Sequence, residues 1–223
     1  MDNSVELSDL ARFRRLGQDL GEFLLVYKFA LDELGTKINI LREELTFRRG
    51  ASPIEHVGER LKSVDSIVAK LQRRGLEANL DEVRQHVRDI AGVRIVCSFI
   101  SDAYEIMEML TSQRDVHVIE VEDYIAEPKA NGYRSLHLIV EIPVFLSDRV
   151  VSTPVEVQIR TVAMDFWAST EHKIHYKYDR AVPAGLVDEL HAAAQAARQL
   201  DETMQRLHLE VRGPARSDRI RRA

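Results

Sequence analysis

The chain has 223 residues, 45% of them hydrophobic and 30% charged, with a formal net charge of −5 at pH 7. That size and apolar content can bury one sizeable core, and the acidic balance excludes bulk electrostatic adhesion to nucleic acid or to a membrane surface. No run approaches the ~20 apolar residues of a membrane span, no cationic and apolar leader opens the chain, and the single cysteine, Cys97, excludes an intramolecular disulfide. The expectation is a one-domain cytoplasmic protein that does not associate with membranes.

From Leu7 to Phe47 the residues Phe23, Val26, Ala30, Leu34, Ile38, Leu41 and Leu45 recur every three or four positions, which predicts a helix with one apolar stripe. Arg48-Arg49-Gly50-Ala51-Ser52-Pro53 breaks that period and divides a helical extension over 1–50 from a core over 51–180. Ser63 is a candidate N-cap for a short helix over 64–74 stopped by Gly75, and a second helical segment is expected over 81–89. Alternation predicts a strand over 93–99 that sends Val93, Ile95 and Cys97 one way and Arg94 the other, followed by a helix over about 102–110.

Two further strands are expected over 136–142 and 155–159. They put Leu138, Val140, Val155, Val157 and Ile159 towards a core and His137, Glu156, Gln158 and Arg160 on the opposite face. A helix over about 164–178 leads through Pro183 and Gly185 into a long final helix over 181–211. Its stripe of Leu186, Leu190, Ala193, Ala197, Leu200, Met204, Leu207 and Val211 suits packing on the domain or on another subunit. Arg216, Arg219, Arg221 and Arg222 make 212–223 a basic tail without expected order.

Three blocks carry chemistry. Arg60, Lys62, Ser66, Lys70 and Arg73 concentrate cations around a helix N-terminus, where free N–H groups and the helix dipole favour phosphate; a solvated amphipathic helix is the competing reading. Asp89-Ile90-Ala91-Gly92-Val93-Arg94 puts a carboxylate ahead of a strand. Asp89 and Glu156, from separate strands of one sheet, could hold Mg²⁺ beside a polyphosphate, or Asp89 could simply pair with Arg94. The segment from Asp123 to His137 joins a tight loop at Pro128 and Asn131-Gly132 to Lys129, Tyr133, Arg134 and His137, an aromatic face beside phosphate-binding groups. There is no GxxxxGK[ST] loop, no GxGxxG, no CxxC and no HExxH, which removes P-loop, dinucleotide-fold and zinc readings.

In this order the blocks resemble the synthetase domain of the RelA/SpoT homologue superfamily, specifically its single-domain small alarmone synthetases of the RelQ/RelP type. The resemblance covers about 23–178. It is most specific at Asp89 to Arg94, at Asp123 to His137, and at Val155 to Thr161 running on to Met164-Asp165-Phe166-Trp167-Ala168-Ser169. The resemblance implies an α+β fold, a mixed β-sheet of the nucleotidyltransferase-like synthetase type flanked by helices, with N- and C-terminal helical extensions. It implies transfer of the β,γ-pyrophosphate of ATP to the 3′-hydroxyl of GDP or GTP, giving ppGpp or pppGpp, without hydrolase activity.

By the same resemblance Arg60 and Arg94 sandwich adenine, while Lys62, Ser66, Lys70 and Arg73 hold the ATP phosphates. Asp89 and Glu156 bind Mg²⁺, Glu156 activates the acceptor hydroxyl, Tyr133 stacks on guanine, and Lys129, His137 and Gln158 position the acceptor and the moving phosphates. The acidic run Glu120-Val121-Glu122-Asp123 implies GDP as the preferred acceptor, and His56 stands where relatives with an alarmone-activated cleft carry an aromatic residue. A homo-oligomer, a homotetramer by preference, is implied as well. The rival readings are a non-catalytic nucleotide-binding regulator and an RNA-binding protein that uses the arginine-rich tail, the latter secondary given the net acidity.

Overall fold

A computed structural model describes residues 3–177 and 183–212. A helix α1 (Asn3–Arg49) precedes strand β1 (Ile54–Leu61), helices α2 (Val64–Arg73) and α3 (Leu80–His86), strand β2 (Ala91–Cys97) and helix α4 (Ile100–Thr111). Strands β3 (His117–Asp123), β4 (Leu136–Phe145) and β5 (Val150–Thr161) follow, then helices α5 (Val162–Lys177) and α6 (Ala184–Arg212). The strands form one mixed sheet in the order β1-β2-β5-β4-β3, parallel only between β2 and β5. The α+β architecture expected from the sequence is the one observed.

Strict alternation fixes which face of the central strands is buried. Val93, Ile95 and Cys97 of β2, Leu138, Val140 and Ile142 of β4, and Val155, Val157 and Ile159 of β5 are all buried, and together with α1 and α4 they form one apolar cluster. From α1 that cluster takes Phe23, Tyr27, Ala30, Leu31, Leu34, Ile38 and Leu45, so the helix stripe covers the sheet's apolar face. Cys97 lies within it, and burial pushes its thiol up to about 12, as befits a structural thiol.

Local signals set the helix ends. The Ser63 side chain accepts from the Ser66 N–H at the start of α2, and Gly75 takes φ 69° just past its end. Asn79 caps α3 in the same way, through the Glu82 N–H. This helix stops at His86 and does not continue to 89, because Val87 turns extended and is fully buried, feeding Ile90 into the core. Asp89 therefore stands on irregular chain between α3 and β2.

Two strands go beyond the sequence expectation. β1 and β3 are the sheet edges, and each carries a register shift, between Ile54 and His56 and between Val118 and Glu120, that breaks the two-residue period. Arg60 sits near the end of edge strand β1, opposite Gly92 of β2 and three residues ahead of Ser63, the N-cap of α2.

The stripe expected on the last helix is divided between two faces. Leu190, Ala194, Ala197 and Asp201 turn towards the domain, whereas Leu200, Met204, Leu207 and Val211 are exposed. Tyr178 and the basic tail with Arg216, Arg219, Arg221 and Arg222 lie outside the described residues. Among the described residues no helix is long and apolar enough to cross a membrane.

Leu34, fully buried between α1 and the sheet, is the test of this packing. Leu34→Ala is expected to cost about 2–5 kcal/mol, read as a lower urea midpoint at unchanged slope.

Candidate active site

Asp89 and Glu156 define the centre of the polar face. Gly92 of β2 pairs with Glu156 of β5, so the chain just ahead of β2 delivers Asp89 next to the Glu156 carboxylate. Lys62 Nζ reaches Asp89 Oδ2 at 2.5 Å and Lys70 Nζ reaches Oδ1 at 2.8 Å. Burial alone would raise the Asp89 pKa, but the hydrogen bonds and charges of the two lysines outweigh it and hold the carboxyl below its usual range. Glu156 is shifted the other way, upwards, first by burial and then by the neighbouring Asp89 charge. The alternative of a rim pair between Asp89 and Arg94 is not what forms: Arg94 Nη1 faces Asp165 Oδ1 at 3.3 Å.

The two carboxylates line two cavities. One of about 200 Å³ is bordered by Arg60, Arg94, His56 and Gln158, and the other, of about 380 Å³, by Lys70, Arg74, Glu120, Glu122 and His137. Asp89 and Glu156 belong to both. A group moved from a molecule in one cavity to a molecule in the other passes these two side chains.

A hydrogen-bonded network backs Glu156. Gln158 Nε2 donates to Glu156 Oε2 at 2.9 Å, and His137 Nδ1 lies 3.9 Å from Oε1. His137 Nε2 meets the Tyr133 hydroxyl at 2.6 Å. Burial, then the Arg160 and Lys129 charges, lower the His137 pKa to about 4, so the ring is neutral at pH 7. Lys129 Nζ stands 4.2 Å from the Tyr124 ring centroid and 5.5 Å from that of Tyr133, a cation held over two aromatic faces.

The structure thus gathers Lys62, Lys70, Asp89, Glu156, Gln158, His137 and Tyr133, with Arg60 and Arg94 across the smaller cavity. Ser66 is engaged with the Ser63 hydroxyl at 2.8 Å, and Arg73 is exposed with its Nε on the Ala69 carbonyl, so neither reaches the carboxylates. Arg74, next in sequence, borders the larger cavity instead, its Nη1 donating to the His86 carbonyl at 2.5 Å. Sequence reasoning passes over Arg160 and Asp165 as site residues. A signal for both exists, since Arg160 continues the alternation of Glu156 and Gln158 and Asp165 lies in the first turn of the helix that follows.

The loop that carries Lys129 and Tyr133 is held from behind. Gly132 has φ 88°, its N–H donates to the Lys129 carbonyl at 2.8 Å, and the Lys129 N–H donates to the Tyr133 carbonyl at 3.1 Å. Helix α6 presses on this turn through Ala194, which joins Trp167 and Ala168 in a second buried cluster against Tyr133. Trp167 Nε1 donates to the Leu190 carbonyl at 2.9 Å, and the Thr161 hydroxyl donates to Asp201 at 2.9 Å.

A mixed sheet with two carboxylates between two cavities, one of them clamped by lysines, defines a protein that handles phosphorylated nucleotides. The chain belongs to the RelA/SpoT family: the model described as the region found in RelA / SpoT proteins matches residues 59–181. It is 51% identical over 212 residues to the GTP pyrophosphokinase YwaC of Bacillus subtilis, covering 95% of this chain and 100% of that protein. Among solved structures it is similar to small alarmone synthetase 2 of Bacillus subtilis, with 52% identity, a TM-score of 0.78 and coverage of 86% of this chain and 99% of that one. Small alarmone synthetase 1 of the same organism, bound to its product pppGpp, matches with 39% identity, a TM-score of 0.81 and coverage of 88% and 100%.

A Cβ on Gly132 would lie 2.5 Å from the Ala194 Cβ in a backbone conformation that L residues rarely adopt. Gly132→Ala is expected to cost about 1–3 kcal/mol, a fall in melting temperature of several degrees. In an Ala194→Gly background the same substitution should cost less, and an equal cost in both backgrounds would refute the contact.

Proposed function

We propose that the chain is a small alarmone synthetase that transfers the β,γ-pyrophosphate of ATP to the 3′-hydroxyl of GDP or GTP. The observation that carries this reading is the Asp89 and Glu156 pair placed between two cavities, with Lys62 and Lys70 on Asp89. ATP lies in the smaller cavity with its adenine between Arg60 and Arg94. Lys62 and Lys70 turn from Asp89 to its phosphates, helped by Ser66 in the first turn of α2 and by Arg73, which swings from the Ala69 carbonyl at the end of that helix. The guanine nucleotide lies in the larger cavity against His137, with the Tyr133 ring and Lys129 behind that histidine available to the base and phosphates, and Gln158, on the border of the smaller cavity, helps orient the acceptor through Glu156.

In the reaction the acceptor 3′-oxygen bonds to the β-phosphorus, the bond to the α-phosphate oxygen breaks, and AMP leaves with the electron pair. Glu156 takes the hydroxyl proton. Its raised pKa makes it a stronger base than an ordinary carboxylate, and its hydrogen bond to the hydroxyl strengthens as the oxygen attacks. Transfer of this kind rests on positioning and charge neutralisation, which the cations supply.

The residues present fit Mg²⁺. Among the described residues no group of three or more His, Cys, Asp or Glu converges, but a magnesium ion beside a polyphosphate needs only one or two carboxylates, with phosphate oxygens and water as its other ligands. Asp89 and Glu156 would hold it, the ion taking the place on Asp89 that Lys62 and Lys70 give up when they turn to the phosphates. When bound, the ion supplies neutralisation of charge on the moving phosphates.

Glu120 and Glu122 border the larger cavity, where an additional phosphate meets repulsion, which favours GDP over GTP. The exposed face of α6, with Leu200, Met204 and Leu207, supports a homo-oligomer, a homotetramer by preference. Both substrates and this assembly are at home in the cytoplasm.

Purified protein incubated with ATP, Mg²⁺ and GDP or GTP should yield AMP together with a more highly phosphorylated guanine nucleotide on ion-exchange chromatography, faster with GDP. Glu156→Gln is expected to abolish that product while ATP binding, followed by calorimetry, persists; undiminished synthesis would remove Glu156 from its role. Leu207→Glu is expected to lower the molar mass measured by light scattering, and an unchanged mass would exclude this face from the assembly.

A further inference from the structure

Arg160, at the end of β5, is 5% exposed, and its guanidinium is shared among three side chains. Nη1 donates to Asp165 Oδ1 at 3.1 Å. Nη2 donates to the Tyr133 hydroxyl oxygen at 2.6 Å and to Gln158 Oε1 at 2.7 Å. An arginine has donors only, and this dictates the direction of every bond around it. Because the Gln158 oxygen is held by Nη2, its amide nitrogen must face Glu156 Oε2, as it does at 2.9 Å. Because the Tyr133 oxygen accepts from Nη2, its proton is free for His137 Nε2 at 2.6 Å. That assignment puts the ring N–H of a neutral His137 on Nδ1, 3.9 Å from Glu156 Oε1.

Both oxygens of Glu156 therefore face N–H groups whose orientation depends on one guanidinium nitrogen. We propose that Arg160 is a positioning residue which, through Gln158 and through Tyr133 and His137, fixes the Glu156 carboxylate for attack by the acceptor hydroxyl. This rests on the reading of Glu156 as the base. Asp165 completes the arrangement, since its Oδ1 also receives Arg94 at 3.3 Å, so that the guanidinium is anchored from the ATP side of the site. A lysine at 160 would keep the charge but could not hold the fork of donors.

The test compares Arg160→Lys, Tyr133→Phe and Glu156→Gln in the full chain. Arg160→Lys is expected to lower kcat about 10²-fold with the KM for ATP unchanged, as displacement of a reacting group does. In protein with ¹⁵N-labelled histidine, the His137 signal, assigned by its loss in His137→Asn, should show the Nδ1–H tautomer in the wild type. It should move towards the Nε2–H form in both Arg160→Lys and Tyr133→Phe. An unchanged kcat in Arg160→Lys, or a wild-type tautomer in that variant, overturns the proposal. If Arg160→Lys does not fold, the tautomer in Tyr133→Phe decides, and a wild-type signal there overturns it as well. A fully active Glu156→Gln sinks the underlying assignment of the base, whereas an inactive Glu156→Gln beside an active Arg160→Lys sinks only the role of Arg160.

Discussion

The parallel pairing of β2 with β5 is the constraint on which the site depends. It sets Gly92 opposite Glu156 and Arg94 opposite Gln158, so residues more than sixty positions apart share one polar patch. A slip of one residue would send Glu156, Gln158 and Arg160 into the core and Val157 and Ile159 into the site. The apolar alternation that stabilises the sheet is thus also what aims the chemistry. Stability and function are specified by the same period.

Two carboxylates in one patch would repel, and their surroundings separate them. Asp89 has a lysine on each oxygen and is held below its usual pKa, while burial and then the Asp89 charge raise that of Glu156 against the opposing Gln158 hydrogen bond. The two carboxylates thus differ in basicity although they share one patch. Lys62 is itself buried, so its pairing with Asp89 also satisfies a charge that the fold could not otherwise accommodate.

Much of this was legible in the sequence because the central strands carry clean alternation and the helices carry clear caps. Val155 to Arg160 showed which side chains face the core, and Ser63 and Gly75 marked α2 within a residue. The edges were not legible. β1 and β3 each bear a bulge and a mostly exposed surface, so neither presents the period that a reader looks for. The site residues at central strand positions were therefore easier to place than Arg60. Arg73 shows the remaining limit: helical spacing puts it near Lys70, but only the packing of α2 on α3 reveals that Arg74 faces the cavity. The partners of Arg160 were hidden for a related reason, since Tyr133, Gln158 and Asp165 meet only once three segments have come together.

The contact between Gly132 and Ala194 carries a further consequence for biosynthesis. Ala194 and Asp201 are synthesised after every residue of the carboxylate centre, and the loop bearing Lys129 and Tyr133 gains its backing only when they arrive. At ~5–20 residues per second, a nascent chain that already contains Glu156 spends seconds without that support. The order of synthesis thus leaves the loop from Lys129 to Tyr133 without this packing until α6 has emerged from the ribosome.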